Sequence, residues 1–271
     1  MISKSVLQLD QLEVVYGRAV RAVQGISMCI PEGSTVAVVG LNGSGKTTIL
    51  RAISGFLPSE NVAITQGTIR FRDRDITGWH ADQTAARGIV LVPELNKVFG
   101  TLTVEENLEV GSRTQSRAQA KGALKLSNVF DLFPTLAPHR HRRAIWLSGG
   151  ERQLLAIAAA LIKQPTVLLV DEMSLGLSPI IQRQVIEKLK ELKRDFGFSL
   201  LVVDQNARAV LDIADYGYII ENGMIVRDGP AQALLANTEV QEFYLGRRSG
   251  EGERPSYRDV KQYRRTRRWW G

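Results

Sequence analysis

The chain is nearly devoid of cysteine: Cys29 stands alone among 271 residues. An internal disulfide is therefore excluded, and a lone thiol fits a reducing compartment. Long apolar runs are missing too. No stretch approaches the roughly 18 apolar residues that a membrane-spanning helix needs, and the opening segment Met1–Leu7 lacks the apolar core and cleavage site of a secretory leader. The expectation is a cytoplasmic protein that is free to dock onto a membrane partner. Excess charge is absent from most of the chain. The net charge is +7, but residues 247–271 carry nine basic and three acidic side chains, leaving the body close to neutral. The body thus lacks the electrostatic footprint of a nucleic-acid binder. Internal repeats are absent, and low complexity is confined to the charged tail. With 44% hydrophobic and 23% charged residues, the composition is that of a globular protein forming one large domain or one with an attached lobe.

What is present begins with a strand-like run, Thr35–Val39, that empties into Gly40-Leu-Asn-Gly-Ser-Gly-Lys46-Thr47. This G-x-x-x-x-G-K-[ST] pattern is a loop for a nucleoside triphosphate. Its glycines let successive backbone N–H groups turn inward to phosphate oxygens. Lys46 can reach the β- and γ-phosphates, and the Thr47 hydroxyl can join the shell of a Mg²⁺ ion. The cradle is assigned to Gly40, Asn42, Gly43, Ser44, Gly45, Lys46, Thr47 and Thr48. The apolar pattern after it (Ile49, Leu50, Ile53) predicts a helix whose N-terminus adds partial positive charge beneath the anion.

Other segments place the loop in a fold. Residues 5–35 read as short strands, with further strands over Thr68–Arg72 and Gly88–Val92. From about 99 to 147 the pattern turns helical: Thr103–Glu106 is a capping box, and a helix is predicted over about 123–133. Lys121, Arg140, Arg142 and Arg143 with two histidines mark a solvated lobe. An alanine-rich helix follows over Glu151–Lys163, then the strand Val167–Val170, a helix over Pro179–Arg194 and a last central strand, Leu200–Val203. Asn222-Gly223 carries the signature of a tight hairpin. Strands alternating with helices predict an α/β fold with a mainly parallel sheet covered on both faces.

Two segments narrow the chemistry. Val167–Val170 ends in Asp171-Glu172. Asp171 can bind Mg²⁺, directly or through water, and Glu172 can act as general base on an attacking water, although such a pair also serves simply to end a strand. Ser148, Gly149 and Gly150 precede a helix and offer a second anion site. One complete phosphate loop beside a second anion site suggests two protomers head to tail, each lending Ser148–Gly150 to its partner's nucleotide.

These segments resemble the ATP-binding subunit of ABC transporters, most closely the second ATPase subunit of branched-chain amino acid importers. The resemblance covers about residues 5–246 and also rests on Val92-Pro-Glu94, Leu102–Leu108, Leu147–Ile157, Ser174–Pro179 and Asp204-Gln-Asn206. It implies a P-loop NTPase with an antiparallel β subdomain and an inserted helical subdomain at about 99–147. ATP and Mg²⁺ are the implied cofactors. Integral membrane permease subunits and a paralogous ATPase subunit, or a second copy, are the implied partners, with a periplasmic or extracellular solute-binding protein reached indirectly. Tyr16 matches the position that stacks on adenine. Departures from the family pattern are equally specific. His80, His139 and His141 all lie upstream of Ser148, so Gln205 stands where most relatives carry a switch histidine. An amide can orient a γ-phosphate but takes up no proton near neutral pH, which leaves Glu172 as the base. Glu94 replaces a glutamine, a change tolerable where the carboxylate faces metal, water or a basic group. Met173 and Ala159 replace a proline and an arginine. The tail (247–271) lies outside the resemblance; its mixture of arginine and tryptophan suits an anionic membrane surface, RNA or a disordered extension. Urea or short amides as solute, a soluble ABC protein acting on nucleic acid or ribosomes, and a weakly catalytic regulatory module are the alternative readings.

Overall fold

The computed structural model describes residues 4–17, 19–57, 61–95, 97–113, 124 and 126–244. Lys121, the start of the helix predicted at 123 and the whole basic tail lie outside the described residues. In chain order the elements are β1 (Ser5–Tyr16), β2 (Val20–Pro31), β3 (Thr35–Val39), α1 (Lys46–Ser54), β4 (Val62–Phe71), β5 (Arg74–Asp75), α2 (Ala81–Ala86), β6 (Ile89–Val92), α3 (Val104–Arg113) and α4 (Leu126–Leu132). Then come α5 (Gly149–Ile162), β7 (Val167–Asp171), α6 (Pro179–Phe196), β8 (Ser199–Asp204), α7 (Ala207–Leu211), β9 (Tyr216–Glu221), β10 (Met224–Pro230), α8 (Ala231–Ala236) and α9 (Thr238–Tyr244).

A six-stranded sheet runs in the order β10-β9-β3-β8-β7-β6, parallel throughout except for the β9–β10 hairpin. Every residue of β3, β7 and β8 is buried, as a parallel strand covered on both faces requires. Alternate side chains divide between two cores. Ala37, Val39, Leu168, Val170, Leu200 and Val202 pack toward α5, α6 and α7, whereas Val36, Val38, Leu169, Leu201 and Val203 pack toward α1 and a second sheet. That second sheet is antiparallel, in the order β2-β1-β4-β5. One cover of the central sheet is therefore largely β structure, and the other is helical.

The short strands expected before residue 35 are two strands of twelve residues each. Continuity survives the polar Asp10-Gln11 break because the ladder is irregular between Leu9 and Leu12. Gln11 takes φ 48 there, and its N–H and side-chain amide both bind Ser27 Oγ. The neighbouring strand approaches so closely that a Cβ on Gly67 would lie 2.4 Å from the Gln11 carbonyl oxygen. A bulge of this kind keeps both halves of a strand facing the core, which alternation read in short windows cannot reveal. β4 likewise begins earlier than the predicted 68–72, at Val62, and ends at Phe71. At the other end, Asn222 and Gly223 take φ 48 and 75, so the predicted hairpin turn is the mirror-image type that matches strand twist.

Between β6 and β7 the chain is helical, and the predicted capping box is present: Thr103 N–H donates to Glu106 Oε2 at 2.7 Å and Glu106 N–H to Thr103 Oγ1 at 3.1 Å. Asn107 fastens the preceding turn. Its side chain accepts from Phe99 N–H at 2.7 Å and donates to the carbonyls of Phe99 at 3.0 Å and Thr103 at 2.8 Å, while being almost wholly buried. Asn107→Ala should orphan these buried groups and destabilise the chain by about 2–4 kcal/mol. Urea unfolding measures this, and a loss under about 0.5 kcal/mol would contradict the anchoring role.

Candidate functional site

The carboxyl ends of β3, β7 and β8 are brought into line by parallel register, with Val39 opposite Asp204 and Asp171 opposite Val203. Whatever follows each strand therefore meets at one edge, the position at which open α/β sheets bind ligands. β3 passes into the phosphate loop, which is pressed against its surroundings. A Cβ on Gly40 would lie 2.4 Å from the Ile220 carbonyl, and one on Gly45, which has φ 105, would lie 2.5 Å from the Ala22 carbonyl. The Gly223 N–H donates to the Ser44 carbonyl at 3.0 Å, so the β9–β10 turn props the loop from beneath. Asn42 and Gly43 form its exposed crest.

Lys46 is only 4% exposed. Its Nζ donates to the Gly40 and Leu41 carbonyls at 2.9 and 3.1 Å and pairs with Glu172 Oε1 at 3.5 Å. Ser44 Oγ, in the same loop, is buried with no hydrogen-bond partner among the described residues. An orphaned hydroxyl and a buried ammonium on a glycine loop fit phosphate oxygens, which would satisfy both. The Thr47 hydroxyl lies 3.2 Å from Asp171 Oδ1. A hydroxyl and a carboxylate are hard oxygen donors of the kind that Mg²⁺ takes alongside phosphate and water. Among the described residues no three His, Cys, Asp or Glu side chains cluster as a self-sufficient metal site, so an ion here would rely on those further oxygens.

The carboxylates are held in tension. Burial, reinforced by Glu94 and Glu172 and opposed by Thr47 and Lys46, pushes the Asp171 carboxyl up to about 6. Burial also raises Glu172, against the pull of Lys46 and with the added push of Asp204 and Glu94. Glu94, half-buried just past β6, thus lies within electrostatic reach of both. Glu172 sits in the left-handed region at φ 43, an uncommon conformation for a long side chain, with its N–H donating to the Val203 carbonyl at 2.9 Å.

The remaining predicted residues lie around this centre. Tyr16, at the end of β1, meets Thr48 through a 3.1 Å bond between hydroxyls, so the aromatic is adjacent to the start of α1. Gln205 is exposed at the end of β8. Ser148 is exposed at the start of α5, and its hydrogen bonds close a second capping box with Glu151: Ser148 N–H to Oε2 at 2.7 Å and Glu151 N–H to Ser148 Oγ at 3.2 Å. Gly149 and Gly150 have a packing reason as well as an anion-binding one, because a Cβ on either would meet Leu177 at 3.0 Å or Ile181 at 2.4 Å. Sequence reasoning passed over the Ser148–Glu151 box although its S-x-x-E spacing was readable. It also gave no role to Asp204 or to Lys97, which is half-buried with its ammonium on Gln153 Oε1.

Asp171 makes stability depend on pH. An unfolded aspartate loses its proton near pH 3.9. Between about pH 4 and 6 the unfolded chain therefore binds fewer protons at this site than the folded one, and stability falls as pH rises through that window. Asp171→Asn, which cannot ionise, should be more stable than the parent at pH 7 by on the order of 1–3 kcal/mol, with the margin shrinking toward pH 4. Urea unfolding without nucleotide at both pH values measures this; a margin that grows on acidification would contradict the burial argument.

Comparison with known proteins gives the family and the fold. The family described as "ABC transporter" matches residues 23–174. The high-affinity branched-chain amino acid transport ATP-binding protein BraG of Pseudomonas aeruginosa is 37% identical over 240 residues, spanning 89% of this chain and 99% of that protein. The probable branched-chain amino acid transport ATP-binding protein LivF of Archaeoglobus fulgidus is 34% identical over 217 residues, 80% of this chain and 89% of its own length. Among solved structures, the ADP conformation of an ATP-binding cassette of an ABC transporter is 27% identical and superposes with a TM-score of 0.74, covering 90% of this chain and 99% of that one. The chain belongs to the ABC transporter family, as one of its ATP-hydrolysing subunits.

Proposed function

We propose that this chain powers an importer of branched-chain or similar small amino acids from the cytoplasmic face of the membrane. The observation that carries its catalytic part is the meeting of Lys46 and Thr47, just past β3, with Asp171 and Glu172 at the end of β7, the two parallel strands on either side of β8. The names of the relatives above support the solute class.

In this reading the phosphate loop, from Gly40 through Thr48, cradles the triphosphate of ATP while Tyr16 offers its ring to adenine. Lys46 leaves the Gly40 and Leu41 carbonyls for phosphate oxygens, which frees Glu172 from its ion pair. Glu172 then takes a proton from the attacking water, and its raised proton affinity suits that task. Gln205 orients and does not ionise. Thr47 and Asp171, with Glu94 nearby, would hold Mg²⁺, which when bound neutralises phosphate charge. The segment Ser148–Gly150, exposed at Ser148, reaches the nucleotide of a paralogous ATPase or a second copy.

The permease surface is assigned to a groove of about 530 Å³ lined by Glu94, Leu95, Val98, Ile145, Arg152 and Leu175. Of its lining, Leu95 is 67% and Ile145 59% exposed, and large apolar side chains grouped in the open mark a partner site. Through Glu94 the same groove borders the metal-binding carboxylates, so docking and hydrolysis are physically adjacent. The proposed division is an ATPase domain over 5–246, with the helical subdomain at about 99–147 and the basic tail beyond. No helix among the described residues is long and apolar enough to cross a membrane.

Glu172→Gln should preserve ATP binding within about twofold, lower turnover by about 100-fold or more and accumulate a nucleotide-bound dimer. Phosphate release and size-exclusion chromatography with MgATP check both halves. Turnover at the parent rate would remove Glu172 as the base.

A further inference from the structure

Asp204 ends β8, directly opposite Val39, the last strand residue before the phosphate loop. It is 1% exposed, yet no salt bridge among the described residues involves it, and all its hydrogen bonds are to neutral donors. Oδ2 accepts from Ser174 N–H at 2.9 Å, while Oδ1 accepts from the Ser174 hydroxyl at 2.7 Å and from Asn206 N–H at 2.8 Å. The grip continues beyond it. Gln182 on α6 donates to the carbonyls of Ser174 and Leu177 at 2.9 and 3.0 Å, and Asn206 Nδ2 reaches Gln182 Oε1 at 3.4 Å. Residues 172–178, which join β7 to α6, are thus tied to the end of β8 at two points, through Glu172 N–H and through Ser174. A buried carboxylate costs several kcal/mol of desolvation, and neutral donors offset only part of that cost. A fold that needed only to close this turn would do so with less.

We propose that Asp204 is a positioning residue for ATP hydrolysis: its two-point hold on Ser174 keeps the left-handed Glu172 backbone fixed, so that the Glu172 carboxylate stays over the phosphate loop. The same hold makes the Ser174–Pro179 segment and the Asp204–Asn206 segment move as one body. The inference rests on Glu172 being the base.

The test uses the full-length chain, with turnover expressed per nucleotide-binding site titrated by a fluorescent ATP analogue, so that loss of folded protein does not register as loss of rate. Asp204→Ala should lower kcat about tenfold or more while the Kd for the analogue stays within about twofold. Ser174→Ala, which deletes only one donor, should lower kcat about threefold to tenfold, and the double variant should be no slower than Asp204→Ala alone. If Asp204→Ala does not fold, Asp204→Asn and Ser174→Ala carry the test. A kcat within about twofold of the parent for both, or fully additive losses in the double variant, overturns the proposal. Glu172→Gln measured alongside separates the two readings. Parent-like turnover there removes the base assignment, whereas an inactive Glu172→Gln beside a fully active Asp204→Ala removes only the Asp204 role.

Discussion

One buried ammonium organises this molecule. Lys46 lies 2.9 and 3.1 Å from two carbonyls of its own loop and 3.5 Å from Glu172, with almost no access to water. Removing both charges of such a pair from solvent costs more than their attraction readily returns. Phosphate oxygens, which are more numerous and more charged than two carbonyls and one carboxylate, would hold the ammonium better. The unfilled hydrogen-bonding capacity of Ser44 points the same way. The elevated proton affinities of Asp171 and Glu172 are the other half of the arrangement, since both are buried and Glu94 pushes on each of them. The site is therefore built at the expense of stability in favour of a polyanion, a pattern common where a fold stores binding potential.

The fold supplies the alignment that makes this possible. Parallel register ends β3, β7 and β8 at one level, and the two apolar cores on either side leave those strands no freedom to slip. A one-residue shift would exchange the buried faces of every strand. The β9–β10 turn beneath the loop and the Asp204 grip behind Glu172 then set two loops against each other. The exposed start of α5 is supported from within: Leu177 and Ile181 pack where Cβ atoms on Gly149 and Gly150 would be.

Much of this was legible in the sequence because the relevant signals are local. A glycine-rich loop between a β-branched strand and an amphipathic helix, an Asn-Gly turn and a Thr-x-x-Glu cap each state their geometry within a few residues, and all are present as read. The carboxylates of Asp171 and Glu172 were legible because a buried strand has few reasons to end in two charges. What escaped depends on pairs far apart in the chain. The bulge that joins the two halves of β1 is defined by Ser27 and by the close approach of Gly67. Asp204 and Ser174 are thirty residues apart and carry no periodic mark. Asn107 looks like any polar residue on a helix until its burial against the 99–103 turn is known.

The account is tested most directly by a structure of the assembled protein with MgATP. It predicts that the Lys46 ammonium has left the Gly40 and Leu41 carbonyls for the phosphates, that Thr47 and Asp171 hold the metal, and that Ser148 of a second ATPase subunit faces the same nucleotide. A triphosphate bound while Lys46 remains on its own carbonyls and on Glu172, with Ser148 still turned to solvent, would contradict it.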